Sequence, residues 1–344
     1  MTKRIRVSAD DSTYYTLPGN KGELNFEGAE LKDTIFGQNF SSDMTGLLQW
    51  TVDANGLYKG YAGYVATIKK AGTPTAMTAE AMSLVSGKTF QVTSASKRTL
   101  DRNAAITILD NAVAVNASNI ESIDHLFGRV TFISSYTPTT PITVTANYLP
   151  LATLGKGNSF TLGMTSNAID NTTFDIAQAN GGHRTFEQGL QTVNFQMNGI
   201  YDAASALKAL LVARTELIVE VNPDGAGLSI ARGYFRPMGE GQSGDVGELE
   251  EETVSFNLSV PADESVITPF RWQHASGSLL NTALRTCLDQ WEAREALYVQ
   301  YLYDGTNGQK GSGIITDLTL TGGLEAMNDF AVKIQGSGAT SAVP

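Results

Sequence analysis

The sequence predicts a mainly β protein: two β-sandwich units, each with a flanking α-helix, plus an extra domain with an immunoglobulin-like or similar β fold. Three observations predict this architecture. Apolar and polar residues alternate in many short segments, the pattern of strands with one buried face. A pattern of strands and a helix occurs twice along the chain. A further β-rich stretch occurs only once.

The strands are predicted from segments whose apolar residues recur at every second position. Glycine, asparagine and aspartate between these segments mark turns. The alternating apolar residues, expected in the core, are Phe160, Leu162 and Met164; Val193, Phe195 and Met197; Val254, Phe256, Leu258 and Val260; and Phe330, Val332 and Ile334.

Two segments have the pattern of helices. Asp202–Arg214 is rich in alanine and leucine and begins with an acidic residue, which the helix dipole favours. Leu279–Glu295 places five residues on one face at spacings of three and four, as a helix packed on a core requires. Those residues are Leu280, Leu284, Cys287, Leu288 and Trp291.

The back half of the repeated unit is found by aligning Leu217 with Leu297. The aligned pairs are then Val219 with Val299, Asp224 with Asp304, Gly225 with Gly305, Gly233 with Gly313 and, after a gap, Phe256 with Phe330. Both segments have the order helix, strand, DG turn, strand, acidic loop, strand. Several matches in one order indicate a duplication.

The front half is found in "GLLQWTVDANGLYKGY" (Gly46–Tyr61) and "GLQTVNFQMNGIYDAASAL" (Gly189–Leu207). Asn55 aligns with Asn198, and a strand followed by a long polar loop precedes each segment. The complete unit is therefore strand, long polar loop, strand, helix and three strands.

The chain divides accordingly into four segments. Residues 151–262 hold one complete unit, and the other is split between 1–64 and 263–344. Residues 65–150 have no counterpart and are expected to form the extra β domain. The last residues, "GSGATSAVP", are expected to form a flexible tail.

Composition excludes several classes of partner. The net charge of −11 disfavours a protein that grips nucleic acid through its phosphates, and it disfavours an anionic membrane surface. No segment has the 18 apolar residues of a membrane span, and no apolar run follows the basic residues at the N-terminus. Charged residues make up only 17% of the chain, which suits a surface covered by other copies.

No catalytic or metal-binding set is present, so an enzyme, a cofactor and a metal are not expected. His125, His183 and His274 lie far apart, and Cys287 lies on the apolar face of a helix. The densest charge run contains Glu248, Glu250, Glu251 and Glu252. Its default interpretation is a solvated loop; the alternative is a surface that faces something negative and must not bind it.

Several segments resemble the major tail tube proteins of long-tailed, siphovirus-type bacteriophages. They are "TVNFQMNGIYD", "ARGYFRPMGEGQSGDVGELEEETVSFNLSV" and "GIITDLTLTGGLEAMNDFAVKIQGSGA". "EAMSLVSGKTFQVTSASKRTLDRNAAITILDN" and "IESIDHLFGRVTFISSY" are similar to a β domain inserted in some members. The resemblance spans about Glu30 to Ala339.

The resemblance implies an assembly. In that family six modules form a ring, their inner sheets join into one barrel, and rings stack into a tube that conducts double-stranded DNA without binding it specifically. Two modules per chain imply a homotrimeric ring with pseudo-sixfold symmetry. The implied partners are other copies of the chain, the tape measure protein and the tail terminator protein, with no membrane; the implied location is the virion tail, after synthesis in the cytoplasm of a bacterial host.

The resemblance also implies site residues. The polar loop of each module reaches the neighbouring ring in that family, and the matching loops here are Gln38–Thr45 and Ile176–Gln188. The candidates for ring-to-ring contact are Gln38, Asn39, Ser41, Asp43, Asn180, His183, Arg184 and Glu187. The candidates for an acidic lumen lining, which repels DNA weakly from all sides, are Glu248, Glu250, Glu251 and Glu252.

Two other functions stay open at this stage. A virion surface or adhesion module would explain the strands and the low charge, but not the duplicated unit. A tube protein of a contractile, secretion-type system is related in architecture, but those subunits usually carry a single module.

Overall fold

The computed structural model describes residues 3–32, 43–58, 65–200, 207–223, 227–243, 251–260, 268–278, 280–323 and 328–343. Antiparallel strands dominate it. The strands are β1 (Arg4–Ser8), β2 (Tyr15–Thr16), β3 (Gly19–Lys32), β4 (Asp43–Leu57), β5 (Val65–Ala71), β6 (Thr75–Ser86), β7 (Thr89–Val92), β8 (Thr107–Asp110), β9 (Val113–Ala114), β10 (Ile120–Asp124), β11 (Arg129–Phe132), β12 (Ile142–Tyr148), β13 (Leu151–Lys156), β14 (Ser159–Asp170), β15 (Phe186–Ile200), β16 (Leu217–Asn222), β17 (Ser229–Ser243), β18 (Glu251–Leu258), β19 (Phe270–His274), β20 (Leu297–Leu302), β21 (Gly308–Gly323) and β22 (Asp329–Val343). The helices are α1 (Phe174–Ala179), α2 (Leu207–Val212) and α3 (Thr282–Ala293).

The strand order within the large, 15-stranded sheet occurs twice. The strands β3-β4-β22-β21-β20, here called the first unit, are neighbours in that order. The strands β14-β15-β18-β17-β16, here called the second unit, repeat the order. Each row continues in the same way, with β1 and β2 beyond β20, and with β5 and β13 beyond β16. The predicted mainly β fold is confirmed.

Matching β-bulges fix which residues of the two units are equivalent. The β3–β4 register shifts between Gly28 and Glu30, and the β14–β15 register shifts between Ser166 and Ala168. The β21–β22 register shifts between Ile315 and Asp317, and the β17–β18 register shifts between Pro237 and Gly239. An extra residue at the same place in both units is difficult to explain without a common origin.

The structure corrects part of the sequence alignment. Leu297 pairs with Gly313, whereas Leu217 pairs with Phe235, so Gly313 is equivalent to Phe235 and not to Gly233. The bulges likewise make Ile334, not Phe330, the equivalent of Phe256. The error arose because a shift by an even number of residues leaves the same face of a strand apolar.

One large core lies under both units. The alternating residues from Phe160, Val193, Val254 and Phe330 onward are buried in it as predicted, except that Leu258 is partly buried and Val260 is exposed. The five residues predicted for one face of a helix are buried too, and all but Leu280 lie within α3. The side chain of Asn281 caps α3 by accepting a hydrogen bond from the Ala283 N–H (2.8 Å).

One predicted helix differs in extent from the structure, and one helix was not predicted. Of the predicted Asp202–Arg214 helix, α2 covers Leu207–Val212, and residues 201–206 lie outside the described part. The helix α1 was not predicted, because its sequence lies within a polar loop. Thr173 caps it by accepting from the Ile176 N–H (3.3 Å). No described helix is long and apolar enough to cross a membrane.

A separate seven-stranded sheet, β6 to β12, forms what we call the small domain. Its own core includes Phe90, Leu100 and Phe132. The strand β5 falls in the stretch assigned to this domain from sequence but pairs with β16 of the large sheet. The strand β19, assigned to the first unit, pairs with β17. The predicted segment boundaries remain a proposal.

The small domain is held against the second unit by apolar and charged contacts. Leu126 and Phe127 pack with Ile218 and Tyr234 in a buried cluster. The Arg232 guanidinium lies 4.8 Å from the centre of the Phe127 ring and donates to the Leu126 carbonyl (3.0 Å). Arg102 similarly lies over Tyr234 and pairs with Glu216 (2.8 Å). Such contacts hold a domain more firmly than a bare linker does.

The C-terminal segment is not a tail, so that expectation was wrong. The strand β22 continues to Val343, which pairs with Gly308. The indole N–H of Trp50 donates to the Gly338 carbonyl (2.9 Å), and this contact is buried. Small residues in this segment look flexible in the sequence, but Gly336 is small because the Trp50 ring lies against it.

Replacing Gly336 with alanine is expected to destabilise the fold. The added Cβ would lie 2.0 Å from Cε2 of Trp50, a buried and rigid ring. Overpacking of this kind costs about 1–3 kcal/mol. Thermal unfolding followed by circular dichroism should show a lower midpoint for Gly336→Ala. The control Gly241→Ala, whose Cβ meets nothing within 4 Å, should leave the midpoint unchanged; equal midpoints would contradict the packing argument.

Candidate assembly surface

Eight strands of the two units form one continuous antiparallel layer. Their order is β3-β4-β22-β21-β14-β15-β18-β17. The two units meet where β14 of the second pairs with the C-terminal half of β21 in the first, from Ser159 opposite Gly323 to Thr165 opposite Asp317. We call this pairing the internal joint. It makes one sheet from two equivalent halves.

One face of this layer covers the core, and the other, here called the open face, is polar. The alternation of buried and exposed positions along each strand separates the two faces. The open-face residues are Lys21, Glu23, Asn25, Glu27, Gln49, Thr51, Asp53, Asn55, Thr161, Thr165, Thr192, Asn194, Gln196, Asn198, Arg236, Thr253, Ser255, Asn257, Asp317, Thr319, Thr321, Asp329, Lys333 and Gln335.

Carboxylates flank both lysines of the open face. Lys333 is opposite Asp53 on one side and opposite Asp317 on the other. Lys21 forms a salt bridge with Glu23 (3.0 Å), in which both side chains are largely exposed. Exposed pairs of this kind add little stability, but they neutralise cations that would otherwise attract phosphate.

The two units differ in the charge that they bring to the open face. The first unit supplies the carboxylates Glu23, Glu27, Asp53, Asp317 and Asp329. The strands of the second unit supply hydroxyl and amide groups, with Arg236 as the one charged residue among the 24 open-face residues that comes from them. The described open face is therefore polar with a small excess of negative charge, concentrated in the first unit.

The acidic lining residues predicted from sequence are not tested by this arrangement. Glu248 and Glu250 lie outside the described residues. Glu251 and Glu252 begin β18, opposite Ser243 and Gln242. Their place in a lumen remains a proposal. The carboxylates that sequence reasoning missed follow from strand alternation, because Asp329 flanks the buried positions Phe330, Val332 and Ile334.

The predicted ring-to-ring loop of the second unit bonds to the first unit of its own chain. The N–H of Leu48 donates to the Gly182 carbonyl, and the N–H of Arg184 donates to the Leu48 carbonyl, both at 2.8 Å. The N–H of Gly338 donates to the Arg184 carbonyl (2.8 Å). The Ser337 hydroxyl accepts from the N–H of Phe186 (2.8 Å). The loop thus lies across β4 and β22.

The individual loop candidates have local partners. The Asn180 amide donates to the Ile176 carbonyl (3.0 Å), and Nδ1 of His183 lies 3.0 Å from the Asn180 carbonyl. Arg184 pairs with Asp170 (3.3 Å), and Glu187 accepts from the Asn171 amide (2.8 Å).

Most candidates in the loop of the first unit, Gln38–Thr45, lie outside the described residues. Gln38, Asn39 and Ser41 lie outside the described residues, and Asp43 begins β4 opposite Lys32. A ring-to-ring role for either loop remains a proposal.

The layer ends in two edges with no partner strand among the described residues. At one end β3 pairs only with β4. At the other end, residues 239–243 of β17 pair only with β18. Phe26 lies beside the first edge, on the core side opposite Trp50, and its side chain is 51% exposed. The unpaired N–H and C=O groups of such edges tend to pair with a strand of another chain.

Two titratable side chains and the potential metal ligands are the remaining candidates for a site in the described part of the chain. No group of three or more potential ligands that could hold a metal ion is found there. Burial raises the pKa of the Cys287 thiol to about 12, so the thiolate needed for nucleophilic chemistry does not form near neutral pH. Burial, together with nearby Arg285 and Arg129, lowers the pKa of His274 to about 4.

Comparison with known proteins gives a distant likeness among solved structures. No protein-family model matches the chain, and no curated protein matches its sequence. A solved structure described as "Tail of empty GTA particle computed with helical refinement, C6 symmetry" is similar, with 16% sequence identity and a TM-score of 0.26. The match covers 31% of this chain and 81% of that one. A TM-score this low establishes neither a shared fold nor a shared function.

Reversing charge on the open face is expected to create DNA binding. The variant Glu23→Lys, Asp53→Lys, Asp317→Lys would gather cations on one polar surface, and its affinity for duplex DNA should fall steeply with salt. Fluorescence anisotropy with a labelled duplex measures this. The control Glu121→Lys, Asp175→Lys, Glu295→Lys has the same net charge on scattered exposed sites. Equal binding by the two variants would contradict a special role for the open face.

Proposed function

We propose that this chain is a structural protein of a siphovirus-type phage tail. Three copies close into a ring with pseudo-sixfold symmetry, and the rings stack into a tube through which the double-stranded genome passes during ejection. The protein is made in the cytoplasm of the bacterial host and ends in the virion tail. Its proposed partners are its own copies, the tape measure protein and the tail terminator protein. The proposed function involves no enzyme activity and no cofactor.

The observation that carries this proposal is the internal joint. Two equivalent units lie side by side in one layer. The strands at the two ends of the layer, β3 and β17, are the equivalents of β14 and β21, which pair at the joint. Repeating the joint between chains extends the sheet, and a rotation that closes leaves no edge exposed. The sequence resemblance to tail tube proteins supports the same arrangement.

The size of the closed sheet suits duplex DNA. Each chain brings eight strands to the layer, so three chains bring 24. At about 4.8 Å between strands and a tilt of about 40°, the barrel would be on the order of 50 Å across. Side chains of about 5 Å on each wall leave roughly 40 Å. Duplex DNA, roughly 20 Å wide, passes through a bore of that size.

The open face is proposed to line the bore. Its hydroxyl and amide groups carry no charge, and its lysines are flanked by Asp53, Asp317 and Glu23. Among the described residues, Arg236, opposite Asn257, is the one cation of the open face that no open-face carboxylate flanks. Such a wall has few unpaired cations for phosphate to bind, so DNA slides along it without deep energy wells. Glu248, Glu250, Glu251 and Glu252 are proposed to add negative charge at one end of the same wall.

Ring stacking is proposed to use the loop regions between the first two strands of each unit. Phe174, at the start of α1, is 96% exposed, which suits contact with another ring. Gln38, Asn39, Ser41, Asp43 and Glu187 are proposed to contribute to the same contacts. Asn180, His183 and Arg184 are proposed to hold the loop in place through their hydrogen bonds and ion pair within the chain. The small domain is proposed to lie outside the tube, since β16 and residues 229–234 of β17, which hold it, contribute nothing to the open face.

The proposal predicts hollow tubes from the purified protein. At high concentration, electron microscopy should show tubes, and native mass spectrometry of the smallest closed species should give three chains. Discrete monomers at every concentration would favour a surface or adhesion module instead. A closed ring of six chains would contradict the proposal that two units of one chain act as two modules.

A further inference from the structure

We infer that a second copy of the chain completes the layer in a fixed register. Its β3 pairs with residues 239–243 of β17, and the second copy covers the cavity that lies between α3 and the strands β15 and β18. This inference rests on the proposed function, whose ring it specifies at the level of residues. The internal joint shows what this contact would look like, because β14 is the equivalent of β3 and β21 is the equivalent of β17.

The bulge positions transfer the register from the internal joint to the free edges. The bulges make β14 equivalent to β3, with Ser166 matching Gly28, and make β21 equivalent to β17, with Ile315 matching Pro237. Thr161 is opposite Thr321 in the internal joint. Their equivalents are Glu23 and Ser243, which are therefore opposite each other between chains. Asn25 then faces Gly241, and Glu27 faces Gly239.

The exposure of Phe26 fits this contact. Its equivalent in β14 is Met164, which pairs with Leu318 across the internal joint and is fully buried. Phe26 occupies the same place on the core side of its strand, but no strand covers it, so it stays 51% exposed. A neighbouring β17 would cover it, and burying an aromatic side chain of this size stabilises an interface.

The cavity on the second unit is the counterpart of a site that is filled on the first. In the first unit the β14–β15 hairpin lies on Leu48 and Gly338, next to Trp50 and Gly336. The equivalent positions in the second unit are Gln191, Val260, Val193 and Leu258. All four line a cavity of about 600 Å³, whose other walls are Phe270 and the C-terminal end of α3.

The occupant follows from the same equivalence. The β14–β15 hairpin, which lies on the first unit, belongs to the second unit, and the first strand of that unit, β14, forms the internal joint. At the joint between chains the equivalent strand is β3, so we expect the second copy that supplies β3 to cover the cavity. Exposed apolar residues at the rim, Leu190 at 75% and Val260 at 52%, would lie under that copy.

Disulfide cross-linking tests the register. In a Cys287→Ala background, the pair Glu23→Cys and Ser243→Cys should link neighbouring chains when tubes form, giving a species of three chains on a non-reducing gel. The pair Thr161→Cys and Thr321→Cys is the internal equivalent and should link within one chain. The pair Glu27→Cys and Ser243→Cys, four positions away from the proposed register at about 3.3 Å per residue, should not link.

The outcomes separate this inference from the proposed function. Tubes in which only the internal pair links, or in which Glu27→Cys links and Glu23→Cys does not, would overturn the register and leave the tube intact. Links between chains in the proposed register, without tubes, would support the joint and contradict the tube. A complete absence of assembly, with the internal pair linked, would contradict both.

A second variant tests the cavity independently. Val260→Arg places a long charged side chain at the rim of the cavity, and because Val260 is half exposed the monomer should fold normally. We expect at least a tenfold rise in the protein concentration needed for assembly, measured by sedimentation. The control Val212→Arg changes a residue that is 77% exposed on α2 and does not line the cavity. Equal assembly by the two variants would overturn the role of the cavity.

Discussion

Backbone pairing at the edges of a sheet is the constraint on which the whole account depends. Every strand edge carries N–H and C=O groups that need partners, and an exposed edge tends to acquire one from another chain. This chain meets the need internally once, where β14 joins β21. It leaves the equivalent edges of β3 and β17 with no partner strand among the described residues. The internal joint is therefore both a fact of the monomer and a model for assembly.

Duplication has let the two units diverge while keeping this constraint. The first unit fills its core with Trp50 against Gly336 and Gly311, and it carries most of the charge on the open face. The second unit uses its β16–β17 edge to hold the small domain. There Arg232 pairs with Glu220 (2.7 Å), where the first unit has Lys310 opposite Gln300. One chain can thus supply two roles that a single repeated module would have to combine.

Much of the fold could be predicted from sequence, because strand alternation and the apolar face of α3 are strong local signals. The alignment of β21 with β17 was wrong because an even shift preserves the apolar face and only pairing partners reveal it. The continuation of β22 beyond Ile334 was not predicted, because Gly336 packs against Trp50, nearly 300 residues earlier in the chain. The open-face carboxylates were passed over in favour of a denser charge run, whose position no strand pattern fixed.

The central claim is that the joint inside the chain and the joint between chains are the same. A cryo-electron microscopy map of assembled tubes, reconstructed with threefold symmetry and no sixfold averaging, tests it most directly. The account predicts a continuous barrel of 24 strands in which β3 of each chain lies against β17 of the next, superimposable on the β14–β21 pairing. A map in which neighbouring chains meet through other surfaces, or in which the sheet is interrupted between chains, would contradict it.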